Sequence, residues 1–276
     1  MAINILPTRR NLRFKLNPSK ALTWHQDGRN VSQFLNTLSL FFPVGERFFI
    51  DSVRHYRDVV QDPELKKAVT AFIGQEAMHG REHEEYNGFV NEAGVPIEAQ
   101  EQLVDNLLKA VQKYTPASFQ LAGTVALEHL TAILADGLLS LQEILDGADE
   151  GYQALWNWHA LEETEHKVVA FDLYMQVSGD RAQLRRAMRL STFFFLRDVT
   201  RGVWHMMRRD GRLTDVGSWY RGMRWLWGRN GFFSGLWSAY RDFYREDFHP
   251  WQHDNYRLMQ ETQHEFDAIN MLGTKP

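Results

Sequence analysis

After residue 28, apolar residues recur at helical spacing along nearly the whole chain, and no stretch alternates with the two-residue period of a strand. The fold class predicted is all-α, a four-helix bundle with added helices. The first helix starts near Val31 and carries Phe34, Leu35, Leu38, Phe41 and Phe42 as far as Pro43. A proline there is expected to kink the helix, or to end it and start another. Asp62-Pro63 provides an N-cap followed by proline at the first helical position. The helix it opens should run to about Glu92, with Gly94 as its stop. Residues 96 to 114 form an amphipathic stretch suited to an outer or crossover helix. Thr115-Pro116 starts a helix reaching about Leu145, and Asp149-Glu150-Gly151 one that ends near Ser178-Gly179. Beyond Asp180 a further helix covers about residues 181 to 209, followed by shorter pieces broken at Gly211, Gly228, Gly231 and Pro250. The division expected is a basic arm at 1–28, the bundle at 29–179, and Trp/Arg-rich helices packed on it at 180–276, in one domain overall.

Acids and histidines interrupt these apolar faces at telling positions. In Trp158-His159-Ala160-Leu161-Glu162-Glu163-Thr164-Glu165-His166, a helix turning about 100° per residue puts Glu163 about 40° and His166 about 20° from His159. The three share one stripe. Glu76-Ala77-Met78-His79 repeats the Glu-x-x-His spacing, and a lone acid lies upstream of each pair: Glu46 by 30 residues, Glu128 by 35. Two Glu-x-x-His helices and two helices giving one Glu each are the ligand set of dinuclear carboxylate centres in bundles. Carboxylates on an interior face are costly unless paired or metal-bound. The metal ligands predicted are therefore Glu46, Glu76, His79, Glu128, Glu163 and His166, with His159 as a seventh. Glu162 and Glu165 read as solvated or as supports behind the ligands, His129 as a packed histidine, and His83 more as a polar surface group than as a ligand or support. Asp51 and Asp136 are candidate acceptors for imidazole N–H, or simple polar contacts. His55, His205, His249, His253 and His264 have no ligand spacing.

The stretches Phe42-Pro43-Val44-Gly45-Glu46, Gln75-Glu76-Ala77-Met78-His79, Ala126-Leu127-Glu128-His129 and residues 158 to 166 resemble the bacterial family of predicted metal-dependent hydrolases, with its ferritin-like di-metal pattern. The His-x-x-x-Glu-x-x-His run is also similar to the arylamine N-oxygenase branch of di-iron proteins, where an extra histidine one turn upstream joins the ligands. On that resemblance the extra ligand is His159. One resemblance implies hydrolysis and the other di-iron O₂ chemistry. Four bundle glutamates favour the oxidative reading: an O₂-activating oxidoreductase with two irons, a small or acyl substrate and an electron donor. A hydrolase using a metal-bridging water is the alternative, and a non-catalytic metal-binding or scaffold protein the second. Mn/Fe, Mn and Zn remain alternatives to iron.

Composition narrows the chemistry further. The chain has no cysteine, which excludes disulfides, thiolate zinc and cysteine-ligated iron–sulfur clusters. Residues 180 to 230 hold twelve Arg against four Asp, an excess of +8, and six of the nine Trp lie between 204 and 251. That segment reads as core and homodimer surface, or as a face for lipid headgroups or an acyl substrate. Nothing in it calls for nucleic acid. No apolar run approaches the length of a membrane span and the start lacks a secretory pattern, so the location expected is the cytoplasm.

Overall fold

The computed structural model describes residues 5–273 apart from Gln142, with side chains as far as Phe266 apart from Glu265. Residues 1–4 and 274–276, the ends of the expected arm and C-terminal segment, lie outside the described residues. Among the described residues there is no strand, and the fold is an all-α helical bundle. Its helices are α1 (Arg29–Arg54), α2 (Pro63–Glu92), α3 (Glu98–Tyr114), α4 (Ala117–Ser140), α5 (Glu150–His166), α6 (Val169–Val177), α7 (Arg181–Arg209), α8 (Val216–Trp227), α9 (Leu236–Asp242) and α10 (Tyr256–Gly273).

Local chemistry sets most of these ends. The Asp62, Asp149, Asp180 and Asp215 side chains accept hydrogen bonds from backbone N–H groups of the first turns of α2, α5, α7 and α8. Gly94 follows α2 at φ +92°, a conformation that favours glycine. Three elements depart from the sequence reading. Pro43 does not divide the first helix: α1 runs through it unbroken. A proline removes the bond to the carbonyl four residues back. That carbonyl, Ser39 O, accepts instead from Asn87 Nδ2 of α2 at 3.1 Å. The fourth helix ends at Ser140, short of Leu145. The helix carrying His166 does not continue to Ser178: it breaks at Lys167–Val168 and restarts as α6. Lys167 is nearly buried there, its ammonium held by His253 O and Asn255 Oδ1, both at 2.8 Å, and set 4.0 Å from the centre of the Trp251 ring.

Helix α1 packs along α2, and α4 packs against α5 and α7. Two apolar clusters close the bundle at opposite ends. One gathers Trp24, Leu35, Tyr86, Tyr152 and Trp156, the other Phe48, Phe72, Leu121, Phe171 and Tyr174. Along α1, α2 and α5–α6, the switch from one cluster to the other falls at Glu46, at Glu76–His83 and at Glu163–His166, so a charged layer lies between two apolar ones. Helix α4 is long and apolar enough to cross a membrane by length and composition, yet most of it is buried and it carries Glu128 at mid-length. Helix α3 is amphipathic with no fully buried residue.

Segment 5–28 is irregular, as expected of the arm, but it is not a loose appendage. Arg10, Leu12, Leu16, Ala21, Trp24 and His25 are all buried. It lies over α5 and α2, and together with α10, whose Met259 and Phe266 join Trp158 and Leu161, it buries α5 on every side from Trp158 to its end.

Candidate metal centre

The structure brings Glu46 of α1, Glu76 and His79 of α2, Glu128 of α4, and His159, Glu163 and His166 of α5 to one buried place. Ligand atoms of Glu46, His79 and His159 lie within 4.8 Å of one another, as do those of Glu76, His79 and Glu163, and those of Glu76, Glu128 and His166. Glu163 faces both ways: Oε1 is 3.2 Å from His159 Nε2, and Oε2 is 3.5 Å from His166 Nε2. Glu76 Oε1 stands 3.2 Å from His166 Nε2 and 4.0 Å from His79 Nδ1. These two carboxylates thus sit between the two histidine groups. Gly80 makes room beside them, since a Cβ there would approach Glu46 Oε2 to 3.1 Å. A glycine inside a helix costs about 0.5–1 kcal/mol relative to alanine, and the space it leaves is filled by a candidate ligand.

Hydrogen bonds behind two of the imidazoles fix which nitrogen each one offers. Gln75 Nε2 donates to Glu165 Oε2 at 2.8 Å, so its Oε1, 3.0 Å from His166 Nδ1, is the acceptor there. His166 therefore carries a proton on Nδ1 and turns Nε2 toward the carboxylates. Ser39 Oγ donates to Asn87 Oδ1 at 2.8 Å and so accepts from His83 Nδ1, also at 2.8 Å. That leaves His83 Nε2 to accept from His159 Nδ1 at 2.9 Å, and His159 Nε2 is bare. His79 has no such bond: its Nε2 lies 3.3 Å from Glu162 Oε2 without hydrogen-bonding it, and its Nδ1 faces Glu46, Glu76 and Glu163. His159 and His166 turn Nε2, and His79 turns Nδ1, toward the carboxylates, and on His159 and His166 a partner holds the other nitrogen, as it does behind metal-ligating histidines.

The network runs outward to the arm. Arg10 is fully buried, with Nη2 2.7 Å from Glu165 Oε1, Nη1 3.0 Å from Glu165 Oε2 and Nη1 3.3 Å from Glu162 Oε1. Trp158 Nε1 also donates to Glu162 Oε1 at 2.8 Å. Arg10 thereby supports His166 through Glu165 and Gln75, and fixes Glu162 beside His79. Phe42 stacks on His159 with ring centres 4.4 Å apart, while Trp158 and Phe72 stand edge-on to His79 and His166.

Burial, followed by repulsion from neighbouring carboxylates, pushes Glu46 and Glu76 well above the usual range, and Glu128 to about 7. Burial raises Glu162 to about 8 against the pull of Arg10. On Glu163, burial acts upward but is outweighed by His166 and His159, which hold it well below its ordinary value. His166 is raised well above the ordinary value: burial opposes its charge, but Glu128, Glu163 and Glu76 outweigh it. Burial and then His159 depress His79 and His83.

Several sequence expectations are corrected here. His83 is fully buried and supports His159 rather than facing solvent. Of the two readings of Glu162 and Glu165, solvated or supporting, the second holds, since both are buried behind the centre. Asp51 is exposed beside Arg54 and Gln112, and Asp136 bonds Ser140 and Asn255, so neither reaches an imidazole of the centre. His129 is packed as expected, against Phe243 and Phe248. His205, His249 and His253 bond Pro96 O, Asp172 and Asp242, away from the centre. Sequence reasoning missed Arg10, Gln75 and Ser39. The phase of Gln75, next to Glu76 and buried, was the one signal available.

No curated protein matches the chain, and no solved structure matches it. Residues 8 to 254 match the family described as predicted metal-dependent hydrolase, a span that holds the arm, all seven candidate ligands and most of the helices behind them. The chain is a member of the predicted metal-dependent hydrolase family.

Proposed function

We propose that Glu46, Glu76, His79, Glu128, Glu163, His159 and His166 hold two divalent metal ions, and that the protein is a dinuclear metal-dependent hydrolase. The observation that carries this reading is the set of polar atoms left without hydrogen-bond partners. Both oxygens of Glu46, Glu76 and Glu128, Glu162 Oε2, Glu163 Oε2, both nitrogens of His79, His159 Nε2 and His166 Nε2 are buried and unpaired. An unsatisfied buried polar group costs about 1–3 kcal/mol, more when charged. Four carboxylates facing one another balance the charge of two divalent cations. The donor set, imidazole and carboxylate without thiolate, suits iron, manganese or zinc.

Glu46, His79 and His159 would hold one ion, Glu128 and His166 the other, with Glu76 and Glu163 between them. Metal ions bound there would supply an acidified water and polarise the scissile group. Gln75 holds the proton on His166 Nδ1, and His83 accepts the one on His159 Nδ1. The walls formed by Phe42, Phe72 and Trp158 keep bulk water from the carboxylates. Elemental analysis of protein purified without chelator should give about two metals per chain. Glu76→Ala and Glu163→Ala should lose most of the metal, and full occupancy in both variants would sink the assignment. Ester or amide cleavage should disappear on chelation and return with metal.

One feature favours a second reading, an O₂-dependent oxidoreductase at a di-iron centre of ferritin-like type: the third imidazole, His159, makes the two metal positions inequivalent. The test is His159→Ala loaded with iron without oxygen. Loss of one iron or a changed spectrum and O₂ response supports the oxidative reading. Two irons with an unchanged spectrum and O₂ response remove His159 from the ligands and the reading with it.

A further inference from the structure

A cavity of about 180 Å³ lies between α1, α3, α4 and α7, and its walls are almost wholly apolar. Leu38, Phe48, Leu108, Phe119, Ala187 and Phe195 form much of it, and its one charged wall residue, Asp198, is paired with Arg197 at 2.8 and 2.9 Å. One ring contact and two stretches of shared helix tie it to the metal centre. Phe42 lines it and stacks on His159, Gly45 lines it and precedes Glu46, and Leu127 and Thr131 line it on either side of Glu128. Its outer rim includes Leu190, about half exposed on α7.

The glycines in this wall add an independent observation. Gly45 and Gly123 sit inside helices, where glycine is unfavourable. Neither adopts positive φ, and neither is needed for a close approach. A Cβ at Gly123 would meet nothing nearer than the Phe48 ring, at 3.8 and 3.9 Å, and one at Gly45 nothing nearer than Phe49 at 3.9 Å. What the two glycines do is leave the cavity open. An apolar cavity of about 150 Å³ stays dry and binds benzene, and this one is somewhat larger.

We propose that this cavity is the subsite for the apolar part of the substrate, an acyl chain or ring of about six to eight carbons whose reacting group meets the metal centre past Phe42. The proposal rests on the dinuclear reading above. The test uses metal-loaded full-length protein and a series of 1-alkanols from propanol to nonanol, titrated calorimetrically. Affinity should rise about fourfold per methylene and level off near hexanol to octanol. Gly123→Leu should keep the metal content and weaken hexanol binding about tenfold or more. If Gly123→Leu does not fold, Gly123→Ala, which favours the helix, should still show a several-fold loss. Manganese-loaded protein should broaden the bound alkanol's NMR lines relative to zinc-loaded protein.

Chain-length-independent binding, undiminished binding in the Gly123 variants, or absence of manganese broadening in protein carrying two metals would each overturn the subsite. Metal analysis of the same samples separates the failures. Alkanol binding by protein that takes up no metal would overturn the centre, and the substrate role with it.

Discussion

Replacing Arg10 with methionine tests whether the arm holds the centre together. The guanidinium is fully buried and spans Glu165 and Glu162, at 2.7, 3.0 and 3.3 Å. Methionine fills much of the same volume but leaves two buried carboxylates facing an apolar end. Breaking a buried pair by removing one partner costs about 3–5 kcal/mol. For a chain of this size that corresponds to a melting temperature lower by about 6–20 °C. Loss of support behind a metal-ligating histidine also weakens metal binding by about 10–100-fold. The control is Arg13→Met in the same segment. Arg13 pairs with Glu82 and Glu85 but its side chain is 60% exposed, so it should cost no more than about 1 kcal/mol. Differential scanning fluorimetry, with and without chelator, reads the stability, and competition with a metallochromic dye reads the affinity. The double variant Arg10→Met with Glu165→Met should recover part of the loss, since one of the two carboxylates left facing an apolar end is then gone. An Arg10→Met protein that melts and binds metal like Arg13→Met would refute the reasoning.

Gln75→Leu removes the acceptor for His166 Nδ1 while leaving every candidate ligand in place, and should weaken metal binding about 10–100-fold; unchanged affinity would show that Gln75 does not orient His166. Chelation should lower the melting temperature at neutral pH, and an unresponsive melting temperature would argue against a buried centre. The metal-free protein should also show a pH optimum of stability. The raised carboxyls of Glu46, Glu76, Glu128 (about 7) and Glu162 (about 8) hold protons in the folded chain that the unfolded chain releases above about 4.5. Their contribution is present at low pH and lost as pH rises through the folded values, by about 1.4 kcal/mol per pH unit for each extra proton held. The raised His166 acts in the same direction, whereas the depressed His79 and His83 make acid below 6.5 costly. Four raised carboxyls outnumber the two depressed imidazoles until the carboxyls of the unfolded chain also take up protons near 4.5, so melting scans should show stability rising as pH falls from about 8 and declining only below about 4.5; a monotonic rise toward pH 9 would contradict the carboxylate layer.

The helices and the seven candidate ligands were legible in the sequence because both depend on periodicity. Apolar spacing marks helices, and a three- or four-residue step puts Glu and His on one stripe wherever the helix is packed. Asp62, Asp149 and Asp180 announce their helices because a cap is a local bond. What the tertiary structure decided is everything that joins residues distant in the chain. Pro43 lies within an unbroken helix because Asn87, on another helix, takes the carbonyl that proline leaves free. The helix after His166 breaks where Lys167 is drawn to His253 and Asn255 of a much later segment. His83, Glu162 and Glu165 carry the same polar signature as surface residues, and only the packing of the arm and of Ser39 turns them into buried supports. Arg10 reads as one basic residue among several in an irregular stretch. The two carboxylates it pairs lie more than 150 residues away, and no local pattern can encode that separation.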